Sequence, residues 1–420
     1  MQAIVTEAVR LSAWGLLILG LFGLLTSTVF LGLVLVGVSR FWRDAKAQDA
    51  DLVQRPAFLP PVSLFKPLHG AEPELEENLR GFFRQDYLEH ARQVGLSRCA
   101  AGVSRVEILF CARNDDDAGL QVARRVAAEF PKVTTRFVTS GEPWAANAKV
   151  CSLAAMAKEA THDLWVISDS DVRVTPEYLR RVVLPFADSK VGCSTCLYRG
   201  VTAEGGIWSG LEAVGMTVEM SSGVCVANLM EPMQFALGPT MAARRACVEE
   251  IGGFESMAEY CSDDFLLGNW IAAKGYTVAL SGHAIDHMVL YAGFVESMKH
   301  QVRWMKSTRF SRPKGHFGTS LTFGVPFGLL ACAGGLLLGR PVLAWTALFA
   351  SVSGRMFQGW LVGRFVARQQ RIWPTMLLFP LRDMLGILFW ALSYTSNRIL
   401  WRGELYELVE AGRMRKLNRK

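Results

Sequence analysis

A long stretch without charged residues near the N-terminus constrains this chain more than any other feature. From Ala13 to Val38 there are 26 consecutive uncharged positions, and about 20 apolar residues are enough for a helix to cross the hydrocarbon core of a bilayer. We therefore expect residues 1–40 to form an N-terminal transmembrane anchor. A cleaved signal peptide is the alternative, but the apolar run is long for one and no small-residue cleavage pattern follows it.

Hydropathy rises again towards the C-terminus. The apolar segments there are Gly318–Leu338, Val342–Val362 and Pro374–Ser393. Arg355 interrupts the second, and Arg382 and Asp383 lie in the third, so either segment could lie at the interface or pack against protein. We expect up to three membrane helices within residues 316–396, followed by a basic tail at 397–420.

Charge around the first helix predicts the side of the membrane on which the middle of the chain lies. Arg40, Arg43 and Lys46 follow the helix, whereas Glu7 and Arg10 precede it, and positive residues favour the cytoplasmic side. The middle region is then cytoplasmic. Three further crossings would put the basic tail outside, against the same tendency, so the sequence leaves the number of crossings and the side of the C-terminus open.

Charge and cysteine usage exclude two other classes of protein. The net charge of +7 follows from the basic flanks of the membrane segments, and no aromatic and basic surface for nucleic acid is evident. The nine cysteines are scattered, and the only close pair, Cys193 and Cys196, has no second pair or histidine cluster at zinc spacing. We interpret the cysteines as buried thiols.

Residues 55–312 show short apolar runs that alternate with longer amphipathic stretches, which predicts an α/β domain with a mostly parallel sheet covered by helices. The strand-like runs are Val62–Phe65, Val106–Cys111 and Leu164–Ile167, and the expected helices include Glu74–Phe83, Leu120–Phe130 and Phe265–Ala273. Acidic residues follow two of the runs, ending at Asp117 and at Asp171. Because ligands bind at the carboxyl ends of parallel strands, these acids should face one crevice.

The turn Asp169–Ser170–Asp171 is the strongest single motif. Two carboxylates at i and i+2 after a buried strand can hold one hard cation, Mg²⁺ or Mn²⁺, which would bridge a diphosphate and make the nucleotide a better leaving group. A solvated acidic turn is the plain alternative. The position directly after Leu164–Ile167 favours the metal site.

Asp263 and Asp264 open an amphipathic stretch. One acid at a helix N-terminus is explained as a cap. A second acid aimed into a cleft could instead deprotonate an acceptor hydroxyl, and Asp264 is the candidate for that general base.

The sequence His300-Gln-Val-Arg303-Trp304 comes shortly before the C-terminal membrane segments, with Lys306 and Arg309 at helical spacing. A juxtamembrane basic helix is the simpler explanation. The functional one is that Arg303 stabilises diphosphate charge, since a planar guanidinium suits phosphate, while Trp304 packs against the acceptor or the sugar.

Taken together, these residues resemble the ceramide glucosyltransferase family, whose pattern is three separated aspartate sites followed by Gln or Arg, two residues, Arg and Trp. The resemblance covers most of the chain. Its most specific part is Val62–Gly70, followed by Glu77–Leu79 and Gln85–Tyr87. It implies an inverting glycosyltransferase with a GT-A (Rossmann-like) catalytic domain and Mn²⁺ or Mg²⁺ as the cofactor.

The resemblance also implies roles for single residues. Asp117 is the first aspartate, near the nucleotide; Asp169 is the second and completes a metal site with Asp171; Asp264 is the third and acts as the base. Residues 303–304 fall on the last motif and join the catalytic set.

Two lysines and two departures complete this comparison. Lys149 resembles the family's basic position before the metal turn and Lys66 is a further candidate, both for binding the nucleotide sugar. His300 occupies the Gln or Arg position of the last motif, which leaves its role open. Asn114 stands where an additional acid is often found.

The resemblance implies a UDP-sugar as the donor and a lipid as the acceptor. Ceramide with UDP-glucose is the first expectation. The segments Leu197–Gly200 and Phe235–Met241 are closer to bacterial relatives that glycosylate hopanoids, so a hopanoid polyol with UDP-N-acetylglucosamine is the alternative. We expect a multi-pass membrane protein with a cytoplasmic catalytic domain, in a bacterial inner membrane rather than the Golgi.

Two rivals from other classes are weighed against this hypothesis. A processive polysaccharide synthase shares the cytoplasmic sugar-transfer domain, but its channel needs more helices than the three segments found here. A non-enzymatic membrane scaffold would not need all three acidic sites to be occupied by acids.

Overall fold

The structure is a computed structural model and describes residues 2–96, 104–203, 205–290, 293–401 and 403–417. The strands are β1 (Val62–Pro67), β2 (Val106–Ala112), β3 (Thr134–Thr139), β4 (Leu164–Ser168), β5 (Val172–Arg173), β6 (Val191–Thr202), β7 (Thr240–Arg244), β8 (Thr277–Val289), β9 (Arg398–Trp401), β10 (Glu404–Leu408) and β11 (Met414–Lys416). The helices are α1 (Gln2–Gln54), α2 (Leu75–Phe83), α3 (Tyr87–Gln93), α4 (Ala118–Glu129), α5 (Ala148–Glu159), α6 (Tyr178–Val183), α7 (Ile207–Val214), α8 (Ser221–Met230), α9 (Arg245–Glu250), α10 (Asp263–Ala273), α11 (Phe294–Ser311), α12 (Pro313–Thr319), α13 (Val325–Leu337), α14 (Pro341–Phe365) and α15 (Trp373–Leu392). A π-helical turn, Gly215–Met220, joins α7 to α8.

The chain forms two compact units, each built from separate segments of sequence. The first unit consists of Met1–Arg40, Gly205–Met230 and Tyr291–Asn397. The second consists of Phe41–Glu204, Glu231–Leu290 and Arg398–Lys420. The first contains the apolar helices, and the second contains both sheets.

The second unit is built on an eight-stranded sheet in the order β3-β2-β1-β4-β7-β6-β8-β5. The first four strands of that order are parallel, while β7 runs antiparallel to both β4 and β6. Strands β1, β2 and β4 are buried along their whole length, which explains their continuous apolar runs. The predicted α/β fold class, a mostly parallel sheet covered by helices, is therefore confirmed.

The sequence did not predict the other half of this sheet. Strands β6 and β8 pair in parallel over most of their length, with two irregularities in register. Both carry serine, threonine, histidine or arginine among their apolar residues, so neither shows the continuous apolar run that identified β1, β2 and β4. Strand β5 pairs with β8 immediately after the acidic turn, through Val172 and His287.

The C-terminal residues form a second, three-stranded antiparallel sheet in the order β11-β10-β9. This sheet pairs with the loop before α10: Met414 donates its backbone N–H to Glu259 at 2.7 Å, and Cys261 donates to Gly412 at 3.0 Å. The sequence indicated only a basic tail here. Arg419 and Lys420 of that tail lie outside the described residues.

Three helices in the described part of the chain are long and apolar enough to cross a membrane: Glu7–Gln54, Ile207–Met230 and Trp373–Leu392. The first and third were predicted. The second, which contains α7, the π turn and α8, was not, because glutamates and small polar residues lower its hydropathy. The predicted segment 318–338 contains a shorter apolar helix, Val325–Leu337.

Helix α1 packs closely on α13 within the first unit, through small residues. A methyl group at Gly20 would lie 2.3 Å from the backbone nitrogen of Ala331, and one at Gly334 would lie 2.5 Å from that of Leu17. Such close approach of helix backbones is the usual packing of helices in lipid.

The cysteines are buried thiols, as predicted, in the part of the chain that the structure describes. All eight described cysteines are free and buried, and Cys99 lies outside the described residues. Cys193 and Cys196 are both fully buried.

Candidate active site

The acidic turn follows β4 at the carboxyl edge of the parallel strands, where the sequence predicted a ligand site. One Asp169 oxygen pairs with the ammonium of Lys149 at 2.7 Å, and Asp171 Oδ2 lies 3.0 Å from His287 Nε2. Ser170, between them, donates its hydroxyl to Glu72 at 2.6 Å. The two carboxylates of the turn therefore have different neighbours.

Lys149, near the start of α5, lies between two acidic segments. Its ammonium is 2.7 Å from Asp169 Oδ1 and 3.6 Å from Asp263 Oδ2. Burial alone would lower the pKa of Lys149, but the charges of Asp169 and Asp263 outweigh it and raise that pKa. Lys149 therefore stays protonated and joins the two acidic segments.

The loop before α10 is fixed from α5 by Asn147. Its side-chain amide donates to Asp263 Oδ1 at 3.3 Å and to the Tyr260 carbonyl at 2.9 Å, while its Oδ1 caps α5 by accepting from the Val150 N–H at 3.2 Å. A single asparagine thus positions both Asp263 and the first turn of the helix that carries Lys149.

Asp264 faces Asp169 across Gly238. A methyl group at Gly238 would lie 3.2 Å from Asp264 Oδ2 and 3.8 Å from Asp169 Oδ2. Asp264 Oδ2 accepts a hydrogen bond from the Gly238 N–H at 2.8 Å, and its Oδ1 accepts from Phe265 N at 2.8 Å. Because Gly238 has no side chain, the space between the two carboxylates is left open.

Burial and the neighbouring charge of Asp263 raise the pKa of Asp264 to about 6, against the opposing effects of Lys149 and two backbone N–H groups. Asp264 is therefore ionised at neutral pH, yet it is a stronger base than an ordinary aspartate. That combination suits a group that takes a proton from a hydroxyl.

Lys66, at the end of β1, is fully buried beside the acidic turn. Its ammonium donates to the backbone carbonyl of Asp169 and lies 3.8 Å from the centre of the Phe82 ring. Burial lowers the pKa of Lys66 to about 7, although the charges of Asp169 and Asp171 raise it. We call Lys66, Lys149, Asp169, Asp171, Asp263 and Asp264 the acidic site.

Asp117 has a structural task at the start of α4. Its Oδ1 accepts from the backbone N–H groups of Gly119 at 2.8 Å and Leu120 at 3.3 Å, and its Oδ2 accepts from Gly70 N at 3.1 Å. Asp117 therefore caps α4 and holds the loop that follows β1.

The motif residues Arg303 and Trp304 lie on α11, in the first unit. His300, one turn earlier, places its Nδ1 2.6 Å from Oε1 of Glu212, and its ring centre lies 4.4 Å from that of Trp304. Glu212 is buried on α7 and also accepts a hydrogen bond from Ser297. The histidine that replaces Gln or Arg is thus paired with a buried carboxylate and packs against the motif tryptophan.

Sequence reasoning missed several residues of these sites. Asp263 was considered only as a cap, and Glu212, Gly238 and His287 were not considered. Nothing local identifies them, since Glu212 and His300 are 88 residues apart in sequence and Asp171 and His287 are 116 apart.

The donor atoms of the acidic turn suit a hard cation. Asp171 Oδ1 is buried and has no hydrogen-bond partner among the described residues, and carboxylate oxygens are the ligands that Mg²⁺ prefers. No group of three or more His, Cys, Asp or Glu side chains arranged to hold a metal occurs in the described ranges. Mg²⁺ does not need such a group, because one or two carboxylates and the substrate phosphates are enough.

The protein has a mostly parallel sheet with acids and lysines at its carboxyl edge, and it has helices of membrane length. These features define the class of protein as a membrane-associated glycosyltransferase. The chain belongs to glycosyl transferase family 21, whose family model matches residues 24–414.

Two curated relatives from Caenorhabditis elegans match most of the chain. Ceramide glucosyltransferase 1 is 21% identical over 85% of this chain and 73% of its own length. Ceramide glucosyltransferase 3 is 23% identical over 86% of this chain and 76% of its own length. Among solved structures, the mannosyltransferase PcManGT from Pyrobaculum calidifontis, in complex with GDP-Man and Mn²⁺, is 20% identical with a TM-score of 0.47, covering 88% of this chain and 99% of that one.

Proposed function

We propose that this glycosyltransferase transfers a hexose from a UDP-sugar to a lipid hydroxyl with inversion, and that it is a ceramide glucosyltransferase that converts UDP-glucose and ceramide into glucosylceramide and UDP. Relatives named ceramide glucosyltransferase match most of the chain. The observation that carries the proposal is the placement of Asp264 across Gly238 from Asp169, with Lys149 beside both acidic segments.

Asp264 is the proposed general base. It takes the proton of the lipid hydroxyl as that oxygen attacks the anomeric carbon of the sugar. A single displacement of this kind breaks the bond to the diphosphate as the new glycosidic bond forms on the opposite face, so the configuration inverts. Its pKa of about 6 supports this role at neutral pH.

Asp169 and Asp171 are the proposed ligands of Mn²⁺ or Mg²⁺. When bound, the cation would neutralise charge that develops on the departing nucleotide diphosphate. Four carboxylates but only two lysines make up the acidic site, and this excess of negative charge supports a site for a cation. Lys149 keeps the Asp169 carboxylate in place and, in this proposal, contacts the nucleotide sugar.

Four other predicted residues keep their proposed roles. Lys66, buried beneath the turn, positions the Asp169 backbone and contributes positive charge to the donor site. Asp117 is proposed to lie near the nucleotide, where its cap of α4 would order the loop after β1. Arg303 and Trp304 are proposed to stabilise the diphosphate and to pack against the acceptor or the sugar, with Glu212 and His300 fixing the tryptophan.

We propose that the chain is a multi-pass membrane protein. Its proposed crossing helices are the three that are long and apolar enough in the described part of the chain, Glu7–Gln54, Ile207–Met230 and Trp373–Leu392. Helix α13, with 13 residues, is about 20 Å long, against a hydrocarbon core of about 30 Å, so it is too short to cross by itself.

The C-terminal sheet pairs with the loop before α10, so in this proposal its basic residues lie on the same side of the membrane as the acidic site. Positive residues after α1 favour the cytoplasm, in our proposal at a bacterial inner membrane rather than the Golgi. The test is a C-terminal fusion to alkaline phosphatase or to a fluorescent protein. An inactive phosphatase and a fluorescent fusion are expected, and the opposite pair of results would refute the cytoplasmic placement of the C-terminal sheet.

The central experiment supplies purified protein with Mn²⁺ or Mg²⁺, radiolabelled UDP-glucose or UDP-N-acetylglucosamine, and ceramide or a hopanoid polyol. Label in ceramide from UDP-glucose supports the main proposal. Label in the hopanoid alone keeps the mechanism and replaces the acceptor. No label in any lipid would refute a lipid glycosyltransferase, and products of many sugars would instead indicate a polysaccharide synthase.

A further inference from the structure

A charged pair lies inside the first unit, within helices of membrane length. Arg382 on α15 donates from Nη2 to Oε2 of Glu219, in the π turn, at 2.7 Å. The side chains are only 5% and 22% exposed. Ionisable residues in such segments are costly to bury and usually mark a functional site.

The hydrogen-bonding capacity of this pair is only partly used. Within the described residues, Arg382 Nε and Nη1 and Glu219 Oε1 are buried without a hydrogen-bond partner. A guanidinium carries five N–H donors, and the Cζ atom of this one lies 5.0 Å from the centre of the Phe389 ring. Leaving such groups unsatisfied is unfavourable unless something else pairs with them.

The neighbouring ion pair shows that the first unit does not generally leave buried charged groups without hydrogen-bond partners. Asp383 Oδ2 accepts from the backbone N–H groups of Gly324 at 2.9 Å and Val325 at 2.7 Å, and Oδ1 lies 3.4 Å from Arg355 Nε. Arg355 also donates to Ser27, Thr322 and Gln358. Asp383 is next to Arg382 in sequence, yet its partners are provided by the protein.

The backbone around the pair is adapted to hold the guanidinium. A methyl group at Gly215 would lie 2.2 Å from Arg382 Nε, and one at Gly386 would lie 3.1 Å from Glu219 Oε1. Glycine at these positions lets both charged groups lie against helix backbone. The π turn, Gly215–Met220, is a form of helix found frequently at functional sites.

The chemistry of these buried atoms without hydrogen-bond partners indicates the class of ligand. Arg382 Nη1 can donate and Glu219 Oε1 can accept, so a headgroup that carries both a hydroxyl and a further oxygen would satisfy both. The pair is neutral as a whole, which favours a neutral headgroup over a phosphate, because a phosphate would meet the carboxylate. The pair lies in helices of membrane length, which favours a lipid as the source.

We propose that Glu219 and Arg382 form a binding site for the hydroxyl- and carbonyl-bearing headgroup of a neutral lipid, the acceptor of the reaction. Glu219 Oε1 accepts a hydrogen bond from a headgroup hydroxyl, and Arg382 donates to a headgroup oxygen. The inference rests on the proposed function, because it names where the lipid acceptor is recognised.

The test compares Glu219→Gln and Arg382→Lys with the wild type in mixed micelles, measuring KM separately for ceramide and for UDP-glucose. A hydrogen bond to a charged group corresponds to a change on the order of 10-fold to 100-fold, so we expect the ceramide KM to rise by that factor with the UDP-glucose KM unchanged. Glu296→Gln, which removes an exposed acid of the same unit, is the matched control and should change neither value.

A second measurement keeps the inference testable if a variant is poorly active. A photoactivatable ceramide in phosphatidylcholine vesicles should label the wild type at least fivefold more than Arg382→Lys, and phosphatidic acid should compete less well than unlabelled ceramide. Equal labelling, or better competition by phosphatidic acid, would overturn the site.

The two proposals fail in different ways. An active wild type whose variants keep the ceramide KM, or lose affinity for UDP-glucose instead, would overturn the role of this pair alone. A wild type that transfers sugar to no lipid would overturn the proposed function and, with it, the acceptor role of the pair.

Discussion

The acidic site of the second unit and the two arginine–carboxylate pairs of the first unit both bury charge, but they balance it differently. Four carboxylates and two lysines make up the acidic site, and Asp171 Oδ1 is buried without a hydrogen-bond partner among the described residues. Arg355 with Asp383 and Arg382 with Glu219 are each neutral. Unbalanced negative charge calls for a cation, whereas a neutral pair calls at most for a neutral ligand.

The two arginine pairs also differ from each other. Asp383 obtains its hydrogen bonds from Gly324 and Val325, so Arg355 and Asp383 hold the helices of the unit together. Arg382 and Glu219 keep buried polar atoms that have no hydrogen-bond partner among the described residues. We therefore distinguish the two pairs by how completely they are hydrogen-bonded. Arg355 and Asp383, whose hydrogen bonds are provided by the protein, form the structural pair, and Arg382 and Glu219 form the proposed binding pair in the same apolar environment.

The largest expected effect is on the acidic site, from Asp264→Asn. The substitution keeps the size of the side chain and removes the base, so transfer should fall by about 10²-fold to 10⁴-fold. Label in extracted lipid measures it, and circular dichroism should show unchanged folding. Asp115→Asn, at an exposed acid paired with Arg124, is the control and should retain activity. More than a tenth of wild-type activity in Asp264→Asn would remove Asp264 from the mechanism.

The next largest effect is on the free energy of unfolding and tests the structural pair, Arg355 and Asp383. Arg355→Met leaves Asp383 as a buried charge without its cation, which costs about 3–5 kcal/mol. Thermal unfolding in detergent should show a clearly lowered midpoint. Arg355→Met combined with Asp383→Asn removes both charges and should recover much of the loss. If the single variant were as stable as the wild type, the distinction between the two arginine pairs would be lost.

The strands and the motif near the acidic turn could be predicted because local sequence patterns encode them. The strands β1, β2 and β4 are buried on both faces and read as continuous apolar runs, and the acids after β4 lie where such strands end. Asp169 and Asp171 were therefore found from the local pattern, whereas Lys149 was identified only through the family resemblance. The ammonium of Lys149 lies 2.7 Å from Asp169 Oδ1.

Other features depend on contacts between distant segments. The helix Ile207–Met230 was missed because Glu212 and Glu219 lower its hydropathy, and their partners His300 and Arg382 lie 88 and 163 residues further along the chain. The C-terminal sheet was missed for the same reason, since it pairs with residues 259–261. No local pattern encodes such a partner.

The third prediction concerns the pKa of Asp264 and tests whether the negative charge of Asp263 raises it. Its raised pKa of about 6 means that the active, ionised form is lost as pH falls through 6, so transfer should fall about tenfold per pH unit below that value. In Asp263→Asn the neighbouring negative charge is gone, the pKa of Asp264 falls, and the acid limb should move to lower pH. The measurement is a pH profile of kcat/KM at saturating Mn²⁺. An acid limb at the same pH in both proteins would refute the charge coupling.

The smallest effect is expected from Gly238→Ala, which tests whether the open space between Asp169 and Asp264 is used. The added methyl group would lie 3.2 Å from Asp264 Oδ2, so the carboxylate must move by a few tenths of an ångström, and misplacement of a catalytic group by about 1 Å can cost about 10²-fold. A loss of a few-fold in kcat is therefore expected, with stability unchanged. Gly223→Ala, where a methyl group would meet nothing within 4 Å, is the control. Full activity in Gly238→Ala would mean that the reacting atoms do not pass between the two carboxylates, and the proposed placement of the sugar would have to change.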